Sequence, residues 1–216
     1  MKFTLAILAV LAVAGQLNAY DMPSTGSGEL AKDFQDIFDL IPLNELIDIT
    51  RTYAAQDKEF QLMTKLVRSQ DSKEFVALVE GAPEFKKLMA YVQTNGLDIY
   101  RLLNKYNEIL NIPPFKPLAG PQRAIIGGLS GYVRDILDLV PVDKMMDVQQ
   151  EKMDNSEAFK GLVNKITSAE FVNFYNSMLQ SELLLKLENR AEQVGLDKES
   201  FQHYYAIFLM LTPFNK

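Results

Sequence analysis

Cysteine and tryptophan are absent from the 216 residues, and histidine occurs once. Without cysteine there is no disulfide framework, no thiolate metal site, no iron–sulfur cluster and no cysteine nucleophile. A single histidine excludes the histidine-rich zinc sites. Positive charge is also scarce: 22 basic side chains face 28 acidic ones, a formal net charge of −6 with a pI near 4.9. Nucleic-acid binding needs a clustered basic surface, so no such partner is expected. Eleven glycines and nine prolines are too few for a fibrous or low-complexity chain. What remains is 48% hydrophobic and 23% charged residues, the balance of a folded globular protein.

One long apolar run stands at the start. Met1–Lys2 is followed by Phe3–Ala14, apolar except for Thr4, and then by Gly15–Tyr20. The run is too short to span a bilayer. A basic start, a short apolar stretch and a small residue before the cut are the layout of a secretory signal peptide. Residues 1–19 are therefore expected to be removed by a cut after Ala19, with a cut after Gly15 as the alternative. That leaves 197 residues with 21 basic and 28 acidic side chains. Such a chain enters an oxidising compartment with no disulfide to close, so its buried core must hold it together. There is no Asn-x-Ser/Thr acceptor. Residues 20–29, rich in Pro, Ser, Thr and Gly, are expected to form a flexible leader.

The chain also repeats itself. Asp36–Pro42, DIFDLIP, is echoed 99 residues later by Asp135–Pro141, DILDLVP. Asp48 and Asp147, Phe60 and Phe159, Leu88 and Leu187, Gly96-Leu97-Asp98 and Gly195-Leu196-Asp197, and Pro114-Phe115 and Pro213-Phe214 keep the same spacing. Ser72, Glu74, Phe75 and Val76 match better 96 residues on, at Ser168, Glu170, Phe171 and Val172, which implies a gap of three residues, later restored. The resulting layout is one copy at 30–115, a Gly- and Pro-rich linker at 116–131, and a second copy at 132–216. Two long copies suggest one domain with pseudo-twofold halves rather than a solenoid of many short units.

Within each copy the apolar residues recur with helical period. Pro42, Pro83 and Pro113-Pro114 break the pattern. Asp57, Ser72 and Asp98 are placed as N-caps, and Gly96 as a left-handed stop. In the second copy Pro141, Ser156, Ser168, Gly195, Asp197 and Pro213 take the same roles. The reading is an all-α fold of about twelve short amphipathic helices. Its inward faces are rich in Phe, Met, Tyr and Leu, and two interpretations stay open: the stripes fill a core, or they line a hollow, for which adaptable Met suits promiscuous apolar binding. The candidate lining residues in the first copy are Phe38, Leu46, Phe60, Met63, Phe75, Leu78, Phe85, Leu88, Met89, Leu102 and Tyr106. In the second they are Leu137, Met145, Phe159, Leu162, Phe171, Phe174, Leu184, Phe201, Tyr205 and Phe208.

Residues that could carry chemistry point elsewhere. His203 has no serine in a nucleophile elbow to serve, and a structural role is expected. Asp36/Asp39 and Asp135/Asp138 share helix faces and are expected to be solvated carboxylates at a helix start. Tyr204–Phe214 is too short to cross a membrane and is expected to be a buried final helix. No cofactor, metal site or catalytic residue is expected.

The order of these motifs resembles the insect allergen repeat family: Asp36–Pro42, Asp57–Gln61, Ser72–Phe75, Pro83–Phe85, Gly96–Tyr100 and Pro113–Phe115. The resemblance covers roughly 30–216. That family includes cockroach major allergen repeats, insect midgut microvillar proteins and nitrile-specifier proteins. The resemblance implies an all-α shell around a large hydrophobic cavity that binds fatty acids or phospholipids without strong specificity. It further implies secretion to the gut lumen or microvillar surface, with peripheral membrane contact. The alternatives it brings are a nitrile-specifier detoxification factor and a microvillar structural protein. The second copy departs from the pattern at Ser156–Phe159, Ser181–Leu183 and Glu199.

Overall fold

The computed structural model describes residues 21–109 and 127–211, and the side chains of 21–104 and 127–205. The proposed signal segment, most of the linker, Pro113–Phe115, Pro213-Phe214 and the side chains of Tyr106 and Phe208 lie outside that description. Twelve helices run through the described residues. The first six are α1 (Glu29–Phe38), α2 (Leu43–Gln56), α3 (Lys58–Val67), α4 (Gln70–Gly81), α5 (Pro83–Thr94) and α6 (Ile99–Ile109). The second six are α7 (Gly128–Leu139), α8 (Val142–Asn155), α9 (Glu157–Ile166), α10 (Ala169–Leu179), α11 (Glu182–Gln193) and α12 (Lys198–Leu211). Among the described residues the only pairing of extended backbone is one isolated bridge between Ser24 and Leu97, and the fold is all-α.

Local chemistry sets the helix starts. Asp57, Ser69, Ser156, Ser168 and Ser181 each accept the amide three residues on, and so begin α3, α4, α9, α10 and α11. Pro83 opens α5, where its missing N–H is harmless. The cap of α4 corrects the expectation for Ser72. Ser69 does the capping, and Ser72 lies within the first turn, buried, its hydroxyl 2.6 Å from that of Tyr205. All six starts of the second group then follow those of the first by 99 residues, from Glu29 and Gly128 to Ile99 and Lys198. No three-residue gap is needed: Ser69 and Ser168, not Ser72 and Ser168, do the same work. Two of the departures in the second copy are likewise substitutions of one helix start for another, Ser156 for Asp57 and Ser181 for the Ala82-Pro83 start.

Two boundaries also change. Helix α7 begins at Gly128, so the end of the expected linker is helical, and Gly131 is buried inside α7. Residues 21–28, read as a flexible leader, are pinned instead. Met22 is buried, and its amide donates to Gln35 Oε1 at 2.6 Å. Thr25 N donates to the Gly96 carbonyl and Asp98 N to that of Pro23. Gly96 has φ +103°, and a Cβ there would stand 2.5 Å from the Glu29 amide nitrogen. The strap and the α5–α6 corner therefore approach closely because residue 96 has no side chain.

The helices interlock across the two groups. α1 rests on α8 and α9, while α7 rests on α2 and α3. α5 packs on α9 and α10, while α11 packs on α3 and α4. Tyr53, Tyr132, Phe60, Phe38, Phe159 and Phe201 fill the interior.

Candidate functional site

The candidate lining residues fall into three groups. Phe38, Leu46, Phe60, Met63, Leu88, Leu102, Met145, Phe159, Leu162, Leu184, Phe201 and Tyr205 are buried. For Phe38, Phe60, Met63, Met145, Phe159 and Phe201 under 2% of the surface is reachable. These six are closely packed in the interior. The reason is ring packing. Phe60 meets Tyr132 edge-on at 4.8 Å, Tyr53 meets Tyr132 at 5.3 Å, and Phe201 stacks on Tyr205 at 4.7 Å.

Leu78 and Leu137 form the second group and are exposed rather than inward. Leu78 shares its side of α4 with exposed Glu74, Ala77 and Gly81, and Leu137 shares its side of α7 with exposed Ser130 and Arg134. Their helical phase turns them away from the packed face.

The third group, Phe75, Phe85, Met89, Phe171 and Phe174, is only partly buried. It lies on α4, α5 and α10, which bury little. α4 buries only Asp71 and Ser72, α5 only Leu88 and Val92, and α10 buries no residue at all. Yet α10 is an apolar helix. Phe171, Phe174 and Met178 are half-buried along one edge of its face, and Val172, Tyr175 and Leu179 are accessible along the other. Sequence periodicity reports that such a face exists. It does not report that only part of it is covered.

Two open clefts flank α5. One, of about 250 Å³, is lined by Glu84, Lys87 and Leu88 of α5, Asn164 and Lys165 of α9, and Ser168, Glu170 and Phe171 at the start of α10. The other, of about 280 Å³, lies among Glu80, Phe85, Lys86, Met89, Tyr100, Leu103 and Asn104. Of the expected lining residues, Leu88 and Phe171 stand on the first of these clefts and Phe85 and Met89 on the second. Both clefts have apolar floors and charged rims, and their volumes sit just below the range of ligand pockets.

Ion pairs tie the same helices together. Lys87 Nζ meets Glu170 Oε1 at 2.6 Å beside the first cleft. In the facing pair of helices, Asp71 is clamped by Lys186 at 2.6 Å and Arg190 at 2.5 Å. Hydrogen bonds from Lys186 and Arg190 hold the Asp71 carboxyl below its ordinary value of 3.8. Stabilisation from this clamp is therefore complete above pH 3.8 and is lost as pH falls through the lower folded value. Asp71→Asn is expected to lower the urea midpoint at pH 7, with the gap to the parent protein closing below about pH 4. A gap that stays constant down to pH 3 would show that the clamp carries no charge-dependent stability.

The acidic pairs also differ from expectation. Asp36 stands in the last turn of α1 and Asp39 caps its end, so neither sits at a helix start. A carboxylate there opposes the helix dipole, and Asp36 instead answers Lys152 of α8. Asp135, late in α7, accepts from the Tyr53 hydroxyl at 2.7 Å. Sequence patterns could not reveal these partners, which lie 116 and 82 residues away. His203 is exposed, its Nδ1 2.9 Å from the Glu199 carbonyl oxygen. Among the described residues no cluster of His, Asp and Glu could hold a metal ion, and no helix is long and apolar enough to cross a membrane.

The family model described as insect allergen related repeat, nitrile-specifier detoxification, matches residues 29–202. Protein G12 of Anopheles gambiae is 26% identical over 203 residues, which cover 91% of this chain and 93% of that protein.

Proposed function

The chain belongs to the insect allergen related repeat family, and on that basis we propose that it is a secreted carrier of fatty acids, phospholipids or similar apolar molecules in the insect gut, a binder and not a catalyst. The observation that supports the reading is α10, an apolar helix with no buried residue, set beside a cleft lined in part by Leu88 and Phe171. An acyl chain laid along such a face removes apolar surface from water on both partners, worth about 0.8 kcal/mol for each methylene fully buried. The polar groups of the clefts carry both signs of charge, Glu84 and Glu170 beside Lys87 and Lys165 in the first and Glu80 beside Lys86 in the second, so selectivity among head groups is weak and chain length dominates. The lysines at the rims, Lys87, Lys165 and Lys86, suit an anionic head without defining one.

The reading is tested by titrating delipidated protein with saturated fatty acids of increasing length against a displaceable fluorescent acyl probe. Affinity is expected to rise with each added methylene, by up to about fourfold per step, and then level off. Failure to bind the probe, or affinity independent of chain length, would remove the proposal.

A further inference from the structure

We propose that Glu170 occupies the head-group position of the cleft among α5, α9 and α10, its carboxylate standing in for that of a fatty acid, and that an acyl ligand binds there by taking Lys87 from it. The inference rests on the carrier reading and names the residue pair that sets head-group preference at that site. The repeat supplies the comparison. Displaced by 99 residues, Leu88, Lys165, Glu170 and Phe171 of this cleft correspond to Leu187, Leu66, Asp71 and Ser72. All four counterparts are buried. Asp71 lies under Lys186 and Arg190, and Ser72 bonds to Tyr205. That corner is packed shut by its own side chains.

At the cleft the substitutions open what is closed there. Lys165 and Glu170 are exposed, and Phe171 is half-buried. Tyr91 stands at the position of Arg190. Its hydroxyl turns away to the Ala158 carbonyl at 3.0 Å, beside Gly161, where a Cβ would collide with it. Glu170 therefore keeps only one of the two cations that Asp71 has, Lys87 at 2.6 Å, with 67% of the Lys87 side chain and 58% of that of Glu170 exposed. A pair so open to water adds little to the fold and exchanges readily. The helix that carries Glu170 is also the less anchored one: α4 packs on α3, α5 and α11, whereas the principal partners of α10 are α5 and α9. The position itself favours an anion. A hydrogen bond from Lys87, with the charges of Lys87 and Lys165, holds the Glu170 carboxyl below its ordinary value of 4.5. A ligand carboxylate in its place starts an acyl chain beside Leu88 and Phe171. Because the protein already supplies a carboxylate, the exchange adds no net ion pair, and the parent protein tells an acid from a neutral lipid only weakly.

Affinities for dodecanoate and dodecanol, measured at about pH 8 by displacement of a fluorescent acyl probe, test this. In Glu170→Gln the acid-to-alcohol affinity ratio should rise about fivefold over the parent, the effect of one partly exposed ion pair, and the gain should fade with added salt. When Lys87→Met is added to Glu170→Gln, the ratio should return to that of the parent. Both side chains are exposed, so the variants should keep the parent's helix content and thermal midpoint. An unchanged ratio in Glu170→Gln, or a gain that survives Lys87→Met, would overturn the inference, while binding of dodecanol would still uphold the carrier reading. A parent protein that takes up neither dodecanoate nor dodecanol would remove the carrier reading and this inference with it.

Discussion

Replacing Lys152 with alanine is expected to destabilise the fold by about 3–5 kcal/mol at neutral pH, the usual cost of removing one partner of a buried charge pair. Lys152 is 9% exposed. It pairs with Asp36 and reaches Asp33 at 3.8 Å and Glu151 at 3.9 Å. Burial, the largest influence, pulls its pKa down, but Asp36, Asp33 and Glu151 together raise it above the ordinary lysine value of 10.5. Its stabilisation is therefore fully present below pH 10.5 and is lost as pH rises through the higher folded value. Asp33 behaves in the opposite sense. Desolvation raises its pKa above 3.8 although Ser156 and Lys152 both act to lower it. Without Lys152 the Asp33 carboxylate is buried with less compensation, so the deficit of the variant should shrink on acidification, as Asp33 takes up a proton. Urea unfolding of parent and variant across a series of falling pH values checks the sign. Lys152→Tyr should lose less than Lys152→Ala, because the residue at the matching position of the first half is Tyr53, whose hydroxyl serves Asp135.

Phe60→Ala is expected to cost a similar amount, about 3–5 kcal/mol, while leaving fatty-acid affinity per folded molecule unchanged. Phe60 is 1% exposed, on α3, with Tyr132 of α7 edge-on to its ring and Tyr53 of α2 at 6.2 Å. Truncation removes a ring that locks three helices and leaves a void enclosed by aromatic neighbours. Phe171→Ala should show the converse. Phe171 is half-buried at the cleft floor and touches Phe174 at 5.5 Å, so its loss should weaken acyl binding with a smaller effect on the thermal midpoint. A Phe60 variant that lost binding in proportion to stability would place the ligand in the core after all.

These two residues show how much the sequence could reveal. Phe60 and Phe171 carry the same period and the same side chain, and both read as inward. Which of them meets solvent depends on what packs above: α2, α7 and α12 converge on α3, while α5 and α9 alone are the principal partners of α10. That is a long-range property and leaves no local trace. The helix plan was legible because caps and breakers act within a turn, as at Asp57, Pro83, Ser168 and Gly195. Ser72 was misread because Ser69, Ser72 and Ser168 offer the same local signal, and only the hydroxyl contact with Tyr205, 133 residues distant, removes Ser72 from capping. The strap was misread for a similar reason. Its Gly and Ser content is that of a loop, whereas its bonds run to Gln35 and Gly96.

The most direct test of the carrier reading is to purify the protein from its native tissue under non-denaturing conditions, extract it with organic solvent and identify the extract by mass spectrometry. Fatty acids or phospholipids in near-stoichiometric amount are expected, and their removal should lower the melting temperature, since a ligand that binds only the folded state stabilises it. A lipid-free extract, from protein whose melting temperature added fatty acid does not raise, would contradict it.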